Sequence, residues 1–413
     1  MPRRCALLLA VLALLAPLSR AGLSPAERAA GWRSIFDGET FNGWRGYRAD
    51  GPPAKGWAIE DGALHVIAGG GGGDIITTEQ FGDFELALEF RVAPLANSGI
   101  MYRVAEIHGA PWMTGPEFQV LDDARDEALD PRHAVAAVYD LYRPAVNKPV
   151  KPAGRWNLDR IRVRDGIVQH YLNGMKVAEY DMRSKDWTDR IAGSKFRVYE
   201  GFGVQPRGHI CLQDHGDDVW YRNIRIREFD KPAPGEIVLF NGNDLTGWTT
   251  RPRRGADPDA WSVRNRAIVG TPGGMLASER NYENFVLTFR WRSQQTPDAD
   301  QSLLIRLGGE QTDRLAGVEI RLEPDNAGEI RNRTDAPLTI TTPPRGSGMH
   351  TVPTSPDAWN HGEVIADGNR VTVFINGEKT AEATGCPAQP GAIALRCGSG
   401  GFRITEIRLT PIE

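Results

Sequence analysis

The chain has 413 residues, a net charge of -4, 40 % hydrophobic residues, 46 Gly and 28 Pro. This composition is typical of a globular protein, and the length exceeds that of one ordinary domain, so we expect two domains. Lys and Arg are scattered and form no basic stripe, which argues against nucleic acid as a partner. Small neutral substrates fit this composition better.

Residues 1–21 have the three parts of a secretory signal peptide. Arg3 and Arg4 precede an apolar run, and Ser19-Arg20-Ala21 suits cleavage by signal peptidase. The run is short for a membrane span, and no later stretch approaches about 20 apolar residues. We therefore expect a secreted or periplasmic protein that has no membrane contact after signal cleavage.

Cleavage would leave three cysteines. Cys386 and Cys397 flank a Pro/Gly turn and an incoming strand, so one interpretation is that they form a disulfide after export. Cys211 is interpreted as a small buried hydrophobe.

The sequence repeats itself once along its length. IFDGETFNGW at 35–44 recurs as LFNGNDLTGW at 239–248, and FGDFELALEFR at 81–91 pairs with YENFVLTFRWR at 282–292. GPEFQVLDD and RWNLDRIRVRDGIVQHYLNG in the first half pair with GVEIRLEPD and AWNHGEVIADGNRVTVFING in the second. We predict a tandem duplication, with domains at 30–229 and 236–413 joined by a Pro-rich linker at 230–235.

Each repeat is made of short alternating segments separated by turn residues. In the first repeat we predict strands at 84–90, 97–104, 159–164 and 169–172. Asp-Gly at 165–166 and Asn-Gly at 173–174 are hairpin signals, and the second repeat has the same pairs at 367–368 and 376–377. These patterns predict an all-β protein of two jelly-roll β-sandwiches. One sheet of such a sandwich is concave, and carbohydrates usually bind there.

Residues 208–229 join two strand-like alternations through a group of polar side chains: Gln213, Asp214, His215, Asp217 and Asp218. A capped, solvated turn is the plain structural interpretation of this group. Together with several other spaced motifs, however, the segment resembles the 3-keto-disaccharide hydrolase domain family. The other motifs are FDGETFNGW at 36–44, NSGIMYR at 97–103, GPEFQVLDD at 115–123, RWN at 155–157 and YLNG at 171–174.

The resemblance covers 35–229 well and 236–413 in outline. It implies a concanavalin A-like jelly roll in secreted bacterial proteins that act on glycosides whose sugar ring has first been oxidised to a ketone. The expected partner is then a small-molecule or oligosaccharide 3-keto sugar.

Strand parity places Glu117 and Gln119 on one strand face, and Asn97 and Arg103 on one face of another strand. A concave sheet would bring these side chains toward His215. Glu117 is the candidate general base, because partial burial raises the pKa of a carboxylate that removes a proton beside a carbonyl. An ion pair on an edge strand is the structural alternative.

The other candidate catalytic residues are His215, Asp214 and Arg103. His215 is a candidate acid or, with Asp214, a metal ligand, although a lone His is more often only hydrogen-bonded. Arg103 suits a carbonyl oxygen or an enolate, and its alternative is a salt bridge at the rim. For a divalent ion (Ca, Mg, Mn or Zn) the candidate ligands are Asp122, Asp123, Asp214 and His215, with a solvated acidic loop as the alternative for the first two. No nucleotide or organic cofactor is expected.

Further side chains are candidates for substrate contacts. The amide candidates are Asn97, Gln119 and Gln213, the aromatic candidates for stacking are Trp112, Tyr139, Tyr142 and Trp220, and a loop brings Lys148. Any one of these aromatic residues is also an ordinary core residue.

The second repeat has lost the polar group. Arg396, Cys397 and Gly398 stand where the first repeat has Gln213, Asp214 and His215, and Arg321 replaces Gln119, whereas Glu319 remains opposite Glu117. We therefore expect the second repeat to be non-catalytic, with a role in binding or packing.

Two classes of function remain. The first is an enzyme that cleaves 3-keto-glycosides by C2 proton abstraction, β-elimination and hydration. The alternative is a lectin-like carbohydrate-binding protein without chemistry. An ordinary endoglucanase would need two carboxylates flanking the bond, and the Glu-x-Asp-x-x-Glu strand common in jelly-roll glucanases is absent. The acid-base set in the first repeat favours the enzyme.

Overall fold

The structure is a computed structural model that describes residues 22–126, 128–251, 259–293, 300–308, 316–334, 336–342, 358–398 and 401–413. The predicted signal peptide lies outside the described residues. In the described part of the chain, no helix has the length and apolar character that a membrane span requires.

The first half forms two antiparallel sheets. Its strands are β1 Arg33–Ser34, β2 Trp44–Gly46, β3 Trp57–Glu60, β4 Ala63–Val66, β5 Ile75–Thr77, β6 Phe84–Val92, β7 Asn97–Val104, β8 Glu117–Leu121, β9 Asn157–Arg164, β10 Ile167–Leu172, β11 Met175–Asp181, β12 His209–Leu212 and β13 Val219–Glu228. The eight-stranded sheet has the order β11-β10-β9-β6-β13-β4-β3, with β1 beside β13, and the five-stranded sheet has the order β2-β5-β12-β7-β8. The helices of this half are α1 Pro25–Ala29 and α2 Lys185–Gly193, with 3-10 helices at Pro111–Met113, Asp123–Arg125, Pro131–His133 and Lys195–Val198.

The second half repeats this plan. Its strands are β14 Ile237–Val238, β15 Trp248–Arg251, β16 Trp261–Arg264, β17 Ala267–Gly270, β18 Met275–Tyr282, β19 Phe285–Ser293, β20 Gln301–Gly308, β21 Ala316–Arg321, β22 Ile330–Asn332, β23 Thr339–Thr341, β24 Asn360–Asp367, β25 Arg370–Ile375, β26 Glu378–Thr384, β27 Gly391–Cys397 and β28 Phe402–Pro411. A 3-10 helix lies at Pro324–Asn326. The nine-stranded sheet has the order β16-β17-β28-β19-β24-β25-β26-β23, with β14 beside β28, and the six-stranded sheet has the order β15-β18-β27-β20-β21-β22.

The prediction of an all-β protein with two tandem jelly-roll sandwiches is confirmed. The four predicted hairpin turns connect β9 to β10, β10 to β11, β24 to β25 and β25 to β26. At Asn173-Gly174 both residues have positive φ, 47° and 88°, which matches the twist of the flanking strands. Each half has its own apolar core between its two sheets, so each half has the anatomy of a domain. Cys386 and Cys397 lie in the second core and are not joined by a disulfide.

One segment of the first half has no equivalent in the second. The connection from β11 to β12 spans 182–208 and contains α2 and the 3-10 helix Lys195–Val198, whereas β26 connects to β27 through 385–390 alone. Ser184 caps α2 by accepting the Trp187 N–H, and Trp187 is buried against Tyr180 and Phe202. The sequence does not predict this helix, because its pattern is short and only one of its residues is buried.

The two halves meet at a charged cluster on the outer face of the eight-stranded sheet. The Glu85 carboxylate is buried and pairs with Arg160 and Arg227, each at 2.6 Å, and Arg227 also pairs at 2.6 Å with Glu363 of the second half. Burial of Glu85 opposes its ionisation, but the surrounding arginines outweigh burial and lower its pKa to about 2.

The Asn-Gly turn between β25 and β26 reaches into the same interface. Arg160 donates a hydrogen bond of 3.0 Å to the Gly377 carbonyl oxygen. Gly377 has a φ of 86°, and a Cβ at this position would lie 2.7 Å from Cδ of Arg162. Glycine is therefore required here both by the backbone conformation and by the close approach of the first half.

We predict that Glu85→Gln destabilises the protein by about 3–5 kcal/mol, because Arg160 and Arg227 would remain buried without their counter-charge. Urea unfolding monitored by tryptophan fluorescence measures the change. Glu79→Gln is the matched control, since Glu79 pairs with Arg33 at the surface and its loss should cost less than about 1 kcal/mol. Equal midpoints for the two variants would contradict the prediction.

Candidate functional site

The five-stranded sheet has a second apolar face, opposite to the core. Because side chains alternate along a strand, Ile75, Ile100 and Leu212 enter the core, while their neighbours point the other way. These neighbours form a separate buried cluster of Ile76, Met101, Val104 and Cys211, against which Tyr47 and Trp112 pack. The cluster is the floor of the candidate site, and it confirms that Cys211 is a buried small hydrophobe.

Glu117 stands on β8 at the edge of this floor. Glu117 pairs with Met101, and the next residue on its face, Gln119, pairs with Gly99. The Glu117 side chain lies over Gly99, since a Cβ at that glycine would be 2.2 Å from Oε1 of Glu117. The absence of a side chain at residue 99 therefore creates the space that the carboxyl group occupies.

The Glu117 carboxyl is buried without a counter-charge in contact. Its residue is 7 % exposed, and no hydrogen bond from a described residue reaches the carboxyl. Burial raises the pKa of Glu117 to about 8, against the lowering effect of Lys195 and with a further rise due to Asp74. At neutral pH this carboxyl therefore carries a proton most of the time.

Asp74 is a second carboxyl on the same face. It directly precedes β5, and its Oδ1 accepts a hydrogen bond of 2.9 Å from the Asp214 N–H. It lines a cleft of about 540 Å³ that Tyr47, Gly73 and Pro111 also border. Burial raises the pKa of Asp74 to about 6, although the Asp214 N–H lowers it. β5 and β8 are three positions apart in the sheet, but the Glu117 carboxyl lies over Gly99 on β7, so the two carboxyl groups lie roughly 10 Å apart, about two strand spacings.

Lys195 and two aromatic rings border the Glu117 end of the site. Nζ of Lys195 lies 4.3 Å from the centre of the Tyr139 ring and 5.5 Å from that of Trp112. The Tyr139 N–H donates to the Glu117 carbonyl oxygen at 3.1 Å, so this ring is fixed beside the strand that carries Glu117. Two of the predicted substrate-binding aromatic residues thus lie at the site.

The predicted amide residues also meet there. Nε2 of Gln119 donates to Oδ1 of Asn97 at 2.9 Å, while Oε1 of Gln119 is buried and has no hydrogen-bond partner among the described residues. The Gln213 N–H donates to the Gly99 carbonyl oxygen at 3.0 Å, which places Gln213 beside Gly99. The unpaired Gln119 oxygen can accept a hydroxyl donor, because a buried acceptor gains from any partner that reaches it.

The prediction that Arg103 shares a strand face with Asn97 is wrong. Arg103 has a φ of 53°, which breaks the strand alternation, and its guanidinium donates to the Gly82 carbonyl oxygen and to Asp83 at 2.9 Å. Arg306 in the second half has the same φ and donates to the Glu283 carbonyl oxygen at 2.8 Å. The two halves share this arginine as an anchor between sheets, away from Glu117.

Asp214 and His215 lie near Asp74 and not beside Glu117. The Asp214 carboxylate accepts hydrogen bonds from the N–H groups of Gly72, Gly73 and Gly216 at 2.9–3.0 Å. It therefore holds the loop that contains Gly72 and Gly73, which we call the glycine loop and which borders the cleft. His215 is exposed and makes no hydrogen bond or ring contact with the described residues.

Three predicted substrate contacts lie elsewhere. Trp220 is on the outer face of the eight-stranded sheet, where it stacks on His65 with ring centres 4.5 Å apart, because Val219 and Tyr221 occupy the core face. Tyr142 donates to Asp186 and stacks on Tyr180. Lys148 pairs with Asp123 at 2.7 Å.

The four candidate metal ligands do not converge. Asp122 accepts the Leu95 N–H, Asp123 accepts the Val135 N–H, and Asp214 binds the glycine loop. Within the described ranges, no group of three or more His, Cys, Asp or Glu side chains has an arrangement that could hold a metal ion. These residues do not fit the predicted metal site.

A profile of the 3-keto-alpha-glucoside-1,2-lyase-like domain matches residues 31–227 and again residues 235–410. The chain belongs to this family. A 3-keto-disaccharide hydrolase from Bacteroides thetaiotaomicron is 40 % identical over 233 residues, which are 49 % of this chain and 80 % of the relative. The crystal structure of a proposed glycosyl hydrolase from Parabacteroides distasonis is 32 % identical, with a TM-score of 0.47, and the match covers 51 % of this chain and 99 % of that chain. A second such structure from the same species is 25 % identical, with a TM-score of 0.39, and covers 48 % and 99 %.

The second lyase-like domain fills the same face differently. The Glu319 carboxylate accepts Ser302 Oγ at 2.8 Å, Arg396 at 3.1 Å and Arg333 at 2.6 Å. Arg396 is the counterpart of Gln213, and Met275 is the counterpart of Asp74. Met275 and Arg396 are paired on neighbouring strands. The glutamate of this domain is therefore held as a fully paired ion, whereas Glu117 is not.

Two residues of the first lyase-like domain were missed by the sequence analysis, namely Asp74 and Lys195. When GDIITTEQ at 73–80 is aligned with GMLASERN at 274–281, Asp74 lies opposite a methionine. This difference between the two repeats could have identified Asp74 as a candidate site residue. Lys195 belongs to the segment that only the first half has, and no pattern in the sequence places that segment over the sheet.

We predict that Glu117→Gln stabilises the protein increasingly as pH rises from about 4.5 to 8. The folded pKa of Glu117 lies above its unfolded value, so its contribution to stability is complete below pH 4.5 and is lost as the pH approaches 8. The difference between variant and wild type should reach on the order of 4 kcal/mol at high pH. Urea unfolding at pH 5 and pH 8.5 measures it.

Glu319→Gln is the control for this experiment, because it removes an ion with three partners. It should destabilise the protein at both pH values. If the free energy of unfolding changed with pH in the same way in wild type and Glu117→Gln, the pKa of Glu117 would not be raised by folding and the prediction would be wrong.

Proposed function

We propose that the first half of the chain is an enzyme that cleaves 3-keto-glycosides in the periplasm or outside the cell. One observation carries the proposal: two carboxyl groups, Glu117 and Asp74, border one apolar floor, and burial gives them pKa values of about 8 and 6. The name of the Bacteroides relative supports cleavage of a glycosidic bond in an oxidised sugar. Export rests on the predicted signal peptide alone.

The two pKa values indicate which of the two carboxyl groups carries a proton at pH 7. At pH 7 the form with ionised Asp74 and protonated Glu117 exceeds the reverse form by about 100-fold. Asp74 is therefore the base in our mechanism, and Glu117 is the proton donor rather than the base that the sequence predicts. Pairs of acids with separated pKa values are the usual sign of such a division of roles.

Elimination begins at C2, whose proton is acidified by the neighbouring C3 ketone. The Asp74 carboxylate takes this proton, and the electron pair of the C–H bond forms an enolate through C2, C3 and the C3 oxygen. When the carbonyl forms again, the pair moves into a C1–C2 double bond and the C1–O bond breaks. The Glu117 carboxyl gives its proton to the departing oxygen.

Hydration returns both groups to their starting states. The Glu117 carboxylate accepts a proton from water, the hydroxide adds to C1, and the Asp74 carboxyl gives its proton to C2. The net result is hydrolysis without an oxocarbenium ion, so one of the two acids acts at C2, whereas both carboxylates of an ordinary glycosidase flank the bond at C1.

Lys195 and Gln119 assist these steps by charge and hydrogen bonding. Lys195 brings a cation to the Glu117 end of the site, where it favours the negative charge that develops on the oxygen leaving C1. The unpaired Oε1 of Gln119 accepts a hydroxyl group of the sugar. No step is assigned to a metal ion, because the candidate ligands do not converge. The second half has no part in catalysis, since Arg396 neutralises Glu319 there.

We expect kcat/KM on a 3-keto-glucoside to follow a bell-shaped pH profile with limbs near pH 6 and pH 8. The acidic limb reports ionisation of Asp74, and the alkaline limb reports loss of the Glu117 proton. Asp74→Asn should remove the acidic limb and Glu117→Gln the alkaline limb from the residual activity. A single limb near pH 4 in the wild type would contradict the assignment.

We expect Asp74→Asn and Glu117→Gln each to lower kcat by roughly 10² to 10⁴, the usual range for general acid-base catalysis. The two losses should differ in their dependence on the leaving group. A nitrophenolate needs little protonation, so it should restore much of the activity of Glu117→Gln and none of that of Asp74→Asn. In deuterated water, Glu117→Gln should still incorporate deuterium at C2, and Asp74→Asn should not.

Glu319→Gln is the matched control and should retain full activity. Cleavage of the unoxidised parent glucoside at a similar rate, or cleavage without deuterium at C2, would rule out the elimination. Binding of the keto sugar without any turnover would favour the lectin-like alternative.

A further inference from the structure

The segment at 182–208 brings more than Lys195 to the site. In the 3-10 helix Lys195–Val198, residues three apart lie on the same side, so Val198 stands next to Lys195. Lys195 in turn lies over the rings of Tyr139 and Trp112 beside Glu117. Val198 is 67 % exposed, which is unusual for a valine that borders a site.

Two further exposed aliphatic residues belong to segment 182–208 or pack on it. Val204 is 66 % exposed and follows Gly203, whose N–H donates to the Thr114 carbonyl oxygen at 2.8 Å. Ile107 is 58 % exposed, and its Cδ1 lies 2.9 Å from the position of a Cβ at Gly201. Segment 182–208 therefore packs on the loop that precedes β8, and each of the two contributes exposed apolar atoms.

An aromatic pair connects this rim to the floor of the site. The Tyr199 ring meets the edge of the Trp112 ring at 5.1 Å, and Trp112 packs against the apolar floor. The exposed residues Ile107, Val198 and Val204, which we call the apolar rim, are thus connected to the floor of the site through Tyr199 and Trp112.

We propose that the apolar rim binds the group attached to C1 and that this group is an apolar alcohol, aromatic or alicyclic, rather than a second sugar. The inference rests on the proposed function, because it names the substrate class of the same site. Branched aliphatic side chains offer no partners for the hydroxyl groups of a sugar, whereas they gain by covering an apolar surface. Since only the catalytic half has segment 182–208, the rim belongs to catalysis and not to the shared fold.

The test uses the full-length protein with the benzyl, cyclohexylmethyl and methyl 3-keto-glucosides, whose leaving alcohols have similar acidity, and with a 3-keto-disaccharide. We expect kcat/KM for benzyl and cyclohexylmethyl to exceed that for methyl and the disaccharide by at least about tenfold, mainly through KM. Val198→Ser and Val204→Ser should each reduce the ratio of benzyl to methyl kcat/KM by about threefold to tenfold.

Val146→Ser is the matched control, because Val146 is 95 % exposed and lies outside the segments that form the rim. It should leave all four values of kcat/KM unchanged. Equal kcat/KM for benzyl and the disaccharide, or an equal loss on all substrates in Val198→Ser, would overturn the proposal.

Failure of the proposed function gives a different result, since none of the four substrates would then be cleaved. In that case the apolar rim is tested by binding alone, with the affinities of the benzyl and methyl 3-keto-glucosides measured by tryptophan fluorescence. Tighter binding of the benzyl compound that is weakened in Val198→Ser supports the rim, and equal binding of the two compounds overturns it.

Discussion

A carboxyl group that is buried without a partner among the described residues is the constraint on which the site depends. The Glu117 carboxyl lies over a glycine on an apolar floor, and the rest of the fold must supply the free energy that keeps it there. The free-energy cost of burying Glu117 is smaller when its carboxyl group is protonated, because the neutral form loses less hydration. This difference raises its pKa. In the second half, Ser302, Arg333 and Arg396 all bind the equivalent Glu319, so the same backbone position holds a carboxylate with three partners.

The duplication therefore separates two uses of one scaffold. Both halves keep the anchor arginine with its positive φ, the hairpin turns and the two-sheet core. They differ in what lies on the outer face of the smaller sheet and in the charges on the outer face of the larger sheet. There Arg160 of the first half and Glu363 of the second stand at corresponding positions and both join the cluster around Glu85. Opposite charges at equivalent positions favour docking of one half on the other over docking of two identical faces.

The segment at 182–208 adds a third element, which neither the duplication nor the sheets supply. It closes one side of the site with Lys195 and extends it with an apolar surface. Its own stability comes from a capped helix whose buried tryptophan packs on an aromatic cluster, so the exposed residues beyond it are held in place by packing elsewhere. A rigid support of this kind is what a binding surface needs.

The sequence by itself determined the all-β class, the duplication and the hairpin turns, because period-two alternation and Asn-Gly or Asp-Gly pairs act locally. Alternation also identified Glu117, Gln119 and Asn97 as one group across neighbouring strands. Parity failed at Arg103, where a residue with positive φ reverses the direction of the side chain. Only the tertiary structure brought Asp74 and Lys195 to Glu117, since they come from distant strands and an inserted segment. Burial, which sets the pKa values and so the roles of the two acids, arises only when all these segments have packed together.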